Sequence, residues 1–187
     1  MEPKTINVDS EKLEDLSQKL SLHFWGKRCD IPVLWNGRLT KSMGRFMFSS
    51  RGRTRTALRI ELSKHAVRFI PPEIFIAVLL HELCHYHLFI QGQPFEDGHP
   101  VFEEELRRVG AISTNVVQLP QKGFELYCSK CHERLGSRKR MNTKHYLSAC
   151  CKAQILKKEA WLGECKYPGE ILKHSKVRLS SNHVKKV

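Results

Sequence analysis

The chain has 187 residues, of which 41% are hydrophobic, and carries a net charge of +13. That length accommodates one domain of about 110–130 residues with a small appendage, and that apolar content excludes global disorder. No apolar run approaches the roughly 20 residues of a membrane span, and Met1-Glu2-Pro3-Lys4 opens no signal peptide, so a cytoplasmic protein with no membrane partner is expected.

Asp9-Ser10-Glu11 can cap a helix with Leu13, Leu16, Leu20 and Phe24 on one side, closed by Gly26. Ile31 to Trp35 reads as a short strand, and Asn36-Gly37 follows as a turn. Gly44 to Ser49 and Thr54 to Ser63 read as two more strands joined by Arg51-Gly52-Arg53. In the second, Leu58, Ile60 and Leu62 alternate with Ala57, Arg59 and Glu61, the period of a half-buried strand. Pro71-Pro72-Glu73 opens a long apolar helix, since proline costs nothing in a first turn; it runs to about Ile90 and stops near Gly92. After a polar loop, His99-Pro100 leads into a second helix, Val101 to Val109, closed by Gly110.

The long helix contains His81-Glu82-Leu83-Cys84-His85. Residues four apart project from one helix face, one turn apart, so His81 and His85 can share a Zn²⁺. Glu82 beside them can accept a proton from a water and pass it to a leaving amine, the mechanics of H-E-x-x-H. Two histidines and a glutamate in so apolar a segment are costly to bury without a partner. A catalytic zinc takes three protein ligands and keeps one open position. His87 lies about 200° round the helix from His85 and faces away. Cys84 fits better as a small core residue. His99 can fold back to the metal and is the favoured third ligand, with a carboxylate from Glu103 to Glu105 as the fallback.

Seven cysteines, an odd number, argue for metal binding or reduced thiols over a disulfide framework. Four fall within residues 128–151. Cys128-Ser129-Lys130-Cys131 is a zinc knuckle; its partner, Cys150-Cys151, is irregular, and both of these, or one of them with His145 or His132, could complete the set. The charge is lopsided: residues 1–120 carry +2 and residues 121–187 carry +11. Such a basic block suits a polyanionic partner, most often nucleic acid. Arg138, Lys139, Arg140 and Lys144, with Asn142, His145 and Tyr146, form a candidate strip for phosphate and base contacts.

These segments resemble the SprT-like family, bacterial relatives of the Spartan-type DNA–protein crosslink proteases. The likeness runs from about residue 8 to 156 and rests on His81-Glu82-Leu83-Cys84-His85-Tyr86-His87-Leu88, on Gly98-His99-Pro100-Val101-Phe102, on Tyr127-Cys128-Ser129-Lys130-Cys131 and on the basic stretch 138–146. The resemblance implies that His81, His85 and His99 bind a catalytic zinc, that Glu82 is the acid/base, and that the substrates are DNA-bound proteins. It also marks a departure: Ser148 stands where the third ribbon cysteine is expected, which makes Cys150 a substitute.

The expected fold is α+β. A zincin-like metallopeptidase domain of helices and a small antiparallel sheet spans 1–119. A zinc-ribbon-like basic β unit spans 120–158, with a second, structural zinc on Cys128, Cys131, Cys150 and Cys151. A basic disordered tail spans 159–187. The function read from these features is a zinc endopeptidase acting near DNA, in the cytoplasm or in association with the nucleoid; the alternative is a nucleic-acid-binding or regulatory ribbon protein with a vestigial protease site. An extended substrate is expected to pair with the edge of the Thr54–Ser63 strand.

Overall fold

A computed structural model describes residues 9–112 and 117–166. They form an α+β arrangement of two compact units, the first up to Val117 and the second from Gln118 to Lys166.

The first unit opens with α1 (Ser10–Trp25). The Asp9 side chain accepts from the Lys12 N–H at 2.8 Å, and Gly26 ends the helix in the left-handed region at φ 64°. Its buried stripe is Leu13, Ser17, Leu20 and Ser21, while Leu16 and Phe24 are only half-buried. Three strands follow: β1 (Val33–Asn36), β2 (Gly44–Arg51) and β3 (Thr54–Ser63). Their order in the sheet is β1-β3-β2. The sheet is mixed rather than antiparallel, because β1 runs parallel to β3 while β2 pairs with it antiparallel. The chain reaches β3 only after passing through β2, so β1 meets β3 without a hairpin between them. β3 is therefore the central strand, and β2, not β3, offers the outer edge beside the long helix.

That helix, α2 (Pro72–Ile90), is the core of the unit, with every residue from Ile74 to Cys84 buried. At 19 residues it is long and apolar enough to cross a membrane, which corrects the expectation that no run comes close. Most of it is buried inside the fold, as suits a central helix of a globular unit. Ile60 and Leu62 of β3 and Val33 of β1 supply the sheet side of the core. α3 (Pro100–Val109) closes over α2 through Phe102, Leu106 and Val109, and ends at Gly110 with φ 73°.

The second unit is a three-stranded antiparallel sheet, β4 (Gln121–Cys128), β5 (Arg134–Arg138) and β6 (Ile155–Leu162), in the order β5-β4-β6. β6 continues through Leu162, and Lys166 bridges back to Gln118, so the boundary expected at 158/159 falls inside a strand. Beyond Lys166 the expected basic tail lies outside the described residues.

On the sheet face away from α2, Glu61 is only 6% exposed. Its carboxylate accepts from Arg59 Nε at 2.6 Å, Asn36 Nδ2 at 2.6 Å and Arg45 Nε at 2.8 Å. Burial pushes this carboxyl up, but the bonds from Arg59, Asn36 and Arg45 outweigh burial and hold it at about 2 against an ordinary 4.5. A carboxyl depressed on folding stabilises the native state above its unfolded value and loses that contribution as pH falls through the folded one. The stability gap between wild type and Glu61→Gln should therefore be about 2 kcal/mol at neutral pH, discounted for the half-exposed arginines. Denaturant titration should show the gap shrinking from about pH 4.5 towards pH 2; a gap that stays constant across that window contradicts the network's role.

Candidate active site

α2 carries His81 and His85 one turn apart, and backbone carbonyls fix both rings. His81 Nδ1 meets the Ile112 carbonyl at 2.8 Å, and His85 Nδ1 meets the Phe95 carbonyl at 2.6 Å. A carbonyl only accepts, so each Nδ1 holds a proton and donates it. That leaves both Nε2 atoms as acceptors, and they face each other at 3.1 Å. Asp97 Oδ1 joins them at 3.2 Å from His81 Nε2 and 3.7 Å from His85 Nε2. Phe102 wedges the rings in place: it stacks on His85 at 4.3 Å between centroids and meets His81 edge-on at 5.2 Å.

Three acceptors converging on one point repel unless a cation lies between them. Burial opposes a charge on His81, but Asp97 and the charge of Glu82 outweigh it and raise its affinity for a proton. Burial and the His81 charge together push His85 down to about 4. Asp97 is held below the usual carboxylate range by His81. The donor set, two neutral imidazole nitrogens and a carboxylate within 4.8 Å of one another, fits Zn²⁺, which takes such ligands at about 2.0–2.2 Å. The carbonyls that orient the imidazoles are the outer partners a metal-bound histidine requires.

Glu82 lies on the neighbouring face of the helix, about 60–100° round from the two histidines, towards β2, on the stripe it shares with Tyr86 and Phe89; both of these pack on Phe46. It is buried, and burial raises its carboxyl to about 7, moderated by the His81 charge and by a bond from the Phe46 backbone. Gly44 makes room for it. A Cβ on Gly44 would lie 2.6 Å from Glu82 Oε1 and 2.7 Å from its Cγ, inside any permitted contact. Glycine is required here by close approach of a side chain, not by backbone conformation.

The other ligand candidates fall elsewhere. His87 stacks on Trp25 at 4.3 Å and meets Ser21 Oγ, on the α1 side. Cys84 is fully buried, with its thiol raised by burial, and is a core residue. Glu103 holds the Gly98 N–H, and Glu105 holds Arg108 and Trp25. His99 caps α3, its Nδ1 accepting from the Val101 N–H at 3.3 Å. The group that converges is His81, His85 and Asp97, without His99. An Nδ1 that accepts leaves the proton on Nε2, so His99 would have to give up this cap to present a lone pair from that nitrogen. Asp97, Gly44 and Phe102 were missing from the sequence reading of the site. Asp97 directly precedes Gly98-His99, and Phe102 stands in the quoted motif, but only the folded chain shows what they touch.

In the second unit, Cys128, Cys131, Cys150 and Cys151 bring their sulfurs within 4.8 Å of one another. Two turns of the same construction hold them. In the first, the Cys128 N–H bonds the Glu133 carbonyl, the His132 N–H bonds the Cys128 carbonyl, and His132 has φ 58°. In the second, the Ser148 N–H bonds the Ala153 carbonyl, the Lys152 N–H bonds the Ser148 carbonyl, and Lys152 has φ 54°. Ser148 thus occupies the place of Cys128, and Cys151 that of Cys131. Cys150, one residue earlier, brings its sulfur to 3.5 Å from that of Cys131 and supplies the fourth thiol. Ser148 is buried; its Oγ accepts from the Ala153 N–H at 3.0 Å and lies 3.2 Å from the Cys128 sulfur. The Cys131 N–H and the Ser148 hydroxyl, with the Lys130 N–H, pull the Cys128 thiol down to about 6, which favours the thiolate a metal needs. Four thiols so placed fit a structural zinc. His132 and His145 are exposed and outside this group. Arg138 ends β5, Lys139 and Arg140 follow in a bend, and Lys144 sits in a short 3-10 turn; all four are exposed. The strip is a loop leaving the sheet.

The SprT-like family model matches residues 13–132. A "Protein SprT-like" from Streptococcus pneumoniae (strain Hungary19A-6) is 32% identical over 149 residues, covering 78% of this chain and 95% of that protein. Proteins of the same name from Geobacillus sp. (strain WCH70) and Bacillus velezensis are each 29% identical. They cover 77% and 79% of this chain, and 92% and 97% of their own lengths.

Elemental analysis of the purified chain should give about two zinc equivalents, one for each donor set. His81→Ala or His85→Ala should remove one, and Cys128→Ser the other. Zinc competes with the proton on His81, so the first equivalent should be released as pH falls through the histidine range. The geometry predicts a larger loss from Asp97→Asn than from His99→Ala; the reverse order would assign the third position to His99.

Proposed function

The chain belongs to the SprT-like family, and from that footing we propose that it is a zinc-dependent endopeptidase with a zincin-like catalytic domain, acting on DNA-associated proteins such as DNA–protein crosslinks. The observation that carries this reading is the pairing of two features on adjacent faces of one buried helix: acceptors that converge at His81 and His85, and a buried carboxyl, Glu82, beside them. His81 and His85 hold the zinc, with a third ligand from the Asp97-Gly98-His99 turn. A zinc bound there supplies Lewis acidity towards a peptide carbonyl and a water.

The protein's own groups do the rest. A carboxyl at about 7 can take a proton and release it again near neutral pH, the condition for acid–base catalysis. Glu82 takes the proton from the attacking water and delivers it to the departing amine. The Phe46 backbone bond and the tight fit against Gly44 keep the carboxyl from swinging away. β2 is the outer strand of the sheet, and its Gly44–Phe46 stretch lies against Glu82. An extended peptide added along this edge would be held mainly by backbone hydrogen bonds, which read little sequence. This favours unfolded or flexible substrates. The ribbon, with Arg138, Lys139, Arg140 and Lys144, localises the enzyme on DNA, where tethering raises its effective concentration towards bound proteins.

Glu82→Gln keeps shape and volume but removes the base. Cleavage of casein or of a DNA-bound protein should fall by about 10²–10⁴-fold while zinc content is retained. Gly44→Ala should also lower turnover, by displacing Glu82, with zinc retained. Equal cleavage by wild type and Glu82→Gln sinks the mechanism. Cleavage by neither, with and without DNA, favours the reading of a nucleic-acid-binding ribbon protein with a vestigial site.

A further inference from the structure

The lopsided charge conceals a second basic concentration. Between Arg38 and Arg59 there are seven Lys/Arg and no Asp/Glu. This stretch belongs to the peptidase unit, whose overall excess is small because its acids lie elsewhere. The fold gathers much of this charge on the β2–β3 hairpin. Arg51 pairs with Thr54 across a two-residue turn, with Gly52 at φ 59° in its first position, where a II′ hairpin needs a positive φ. Ser50 pairs with Arg55, and Ser49 with Thr56.

The tip from Ser49 to Thr56 consists only of arginine, serine, threonine and glycine, and it is exposed except for a half-buried Ser49. At the base of the hairpin Arg45 and Arg59 are occupied by Glu61. At the tip Arg51, Arg53 and Arg55 have no ion-pair partner among the described residues. Three like charges on one hairpin tip repel one another, with no ion pair among the described residues to offset the cost.

We infer that the β2–β3 hairpin tip is a phosphate-binding surface for nucleic acid, a contact belonging to the peptidase unit itself and additional to the ribbon's basic strip. Its chemistry is that of a backbone contact: guanidinium forks match phosphate oxygens in pairs, and hydroxyls and a glycine-exposed backbone add short donors. A two-stranded β-ribbon is also narrow enough to enter a duplex major groove. The tip lacks the aromatic and apolar residues that build the centre of a protein interface or enter a lipid surface. The inference rests on the reading of this chain as a protein that works on DNA, and it adds where the catalytic unit touches it.

The test uses the full chain in five forms: wild type, Arg51→Gln/Arg53→Gln/Arg55→Gln, Arg138→Gln/Lys139→Gln/Arg140→Gln, the two sets combined, and Arg51→Lys/Arg53→Lys/Arg55→Lys. Binding to a mixed-sequence duplex and to a single strand is measured across a salt series. Each phosphate contact contributes about 0.9 to the slope of log affinity against log salt on a duplex and about 0.7 on a single strand. The hairpin variant should lose about 2–3 from the duplex slope and bind all sequences more weakly, with a thermal midpoint no lower than that of wild type, because the three side chains are exposed and repel one another. The ribbon variant should retain residual binding that disappears when both sets are changed. Arg→Lys at the three hairpin positions should restore most of the slope. A hairpin variant with wild-type affinity and slope, beside a ribbon variant that loses both, overturns this inference and leaves the DNA reading intact. A wild type that binds neither nucleic acid at low salt overturns both. Retention of poly(glutamate) in preference to DNA also overturns it, making the tip a surface for acidic protein.

Discussion

Two backbone carbonyls, those of Ile112 and Phe95, decide what α2 can do. By taking the Nδ1 protons of His81 and His85 they turn both Nε2 lone pairs onto one point, 3.1 Å apart. The rest of the first unit is arranged around that constraint. The loop after α2 returns so that Phe95 can accept from His85 and Asp97 can reach the pair. α3 brings Phe102 against both rings. The chain beyond Gly110 returns far enough for Ile112 to accept from His81. On the opposite flank β2 must come so close to α2 that only glycine fits at position 44. A buried, apolar helix tolerates two histidines and a glutamate because each is held by a specific partner.

The second unit solves a different problem. Among its described residues Pro120, Leu126 and Cys128 are the buried apolar side chains, far too little for a core. Two turns of like construction, each with a left-handed residue after its last cysteine, set four sulfurs together instead. Moving one ligand from position 148 to position 150 changes the surroundings of the sulfurs without dispersing them. Ser148 keeps the turn closed and offers its hydroxyl to the Cys128 sulfur. A small unit lacking a core depends on such a cluster for its fold, so metal loss and local unfolding are coupled there.

Local chemistry made most of the elements legible. Asp9 and Gly26 cap α1 as their types suggest, and Gly110 ends α3 likewise. The four-residue spacing that pairs His81 with His85 needs no tertiary information. What the sequence concealed depends on contacts through space. Nothing local says that the strand at Val33 runs parallel to β3, or that β3 lies in the middle of the sheet. The alternation of Leu58, Ile60 and Leu62 fails at Leu58, which is 41% exposed where the β2 pairing slips by one residue. Asp97 reads as a loop acid and Gly44 as a strand start until the fold sets each beside α2. The arginines at 51 and 53 pass as a loop, and Arg55 as a strand residue, until the strands are paired.

The central claim is that His81 and His85 present both Nε2 atoms to a single cation. Anomalous diffraction at the zinc edge, from crystals of the zinc-loaded chain, measures this directly. The account predicts a zinc peak within bonding distance of both Nε2 atoms, with the Nδ1 bonds to Ile112 and Phe95 intact, and a separate peak among the four cysteine sulfurs. A fully loaded cysteine site beside a histidine pair with no peak, or a zinc bound through Nδ1 with those carbonyl bonds broken, would contradict it.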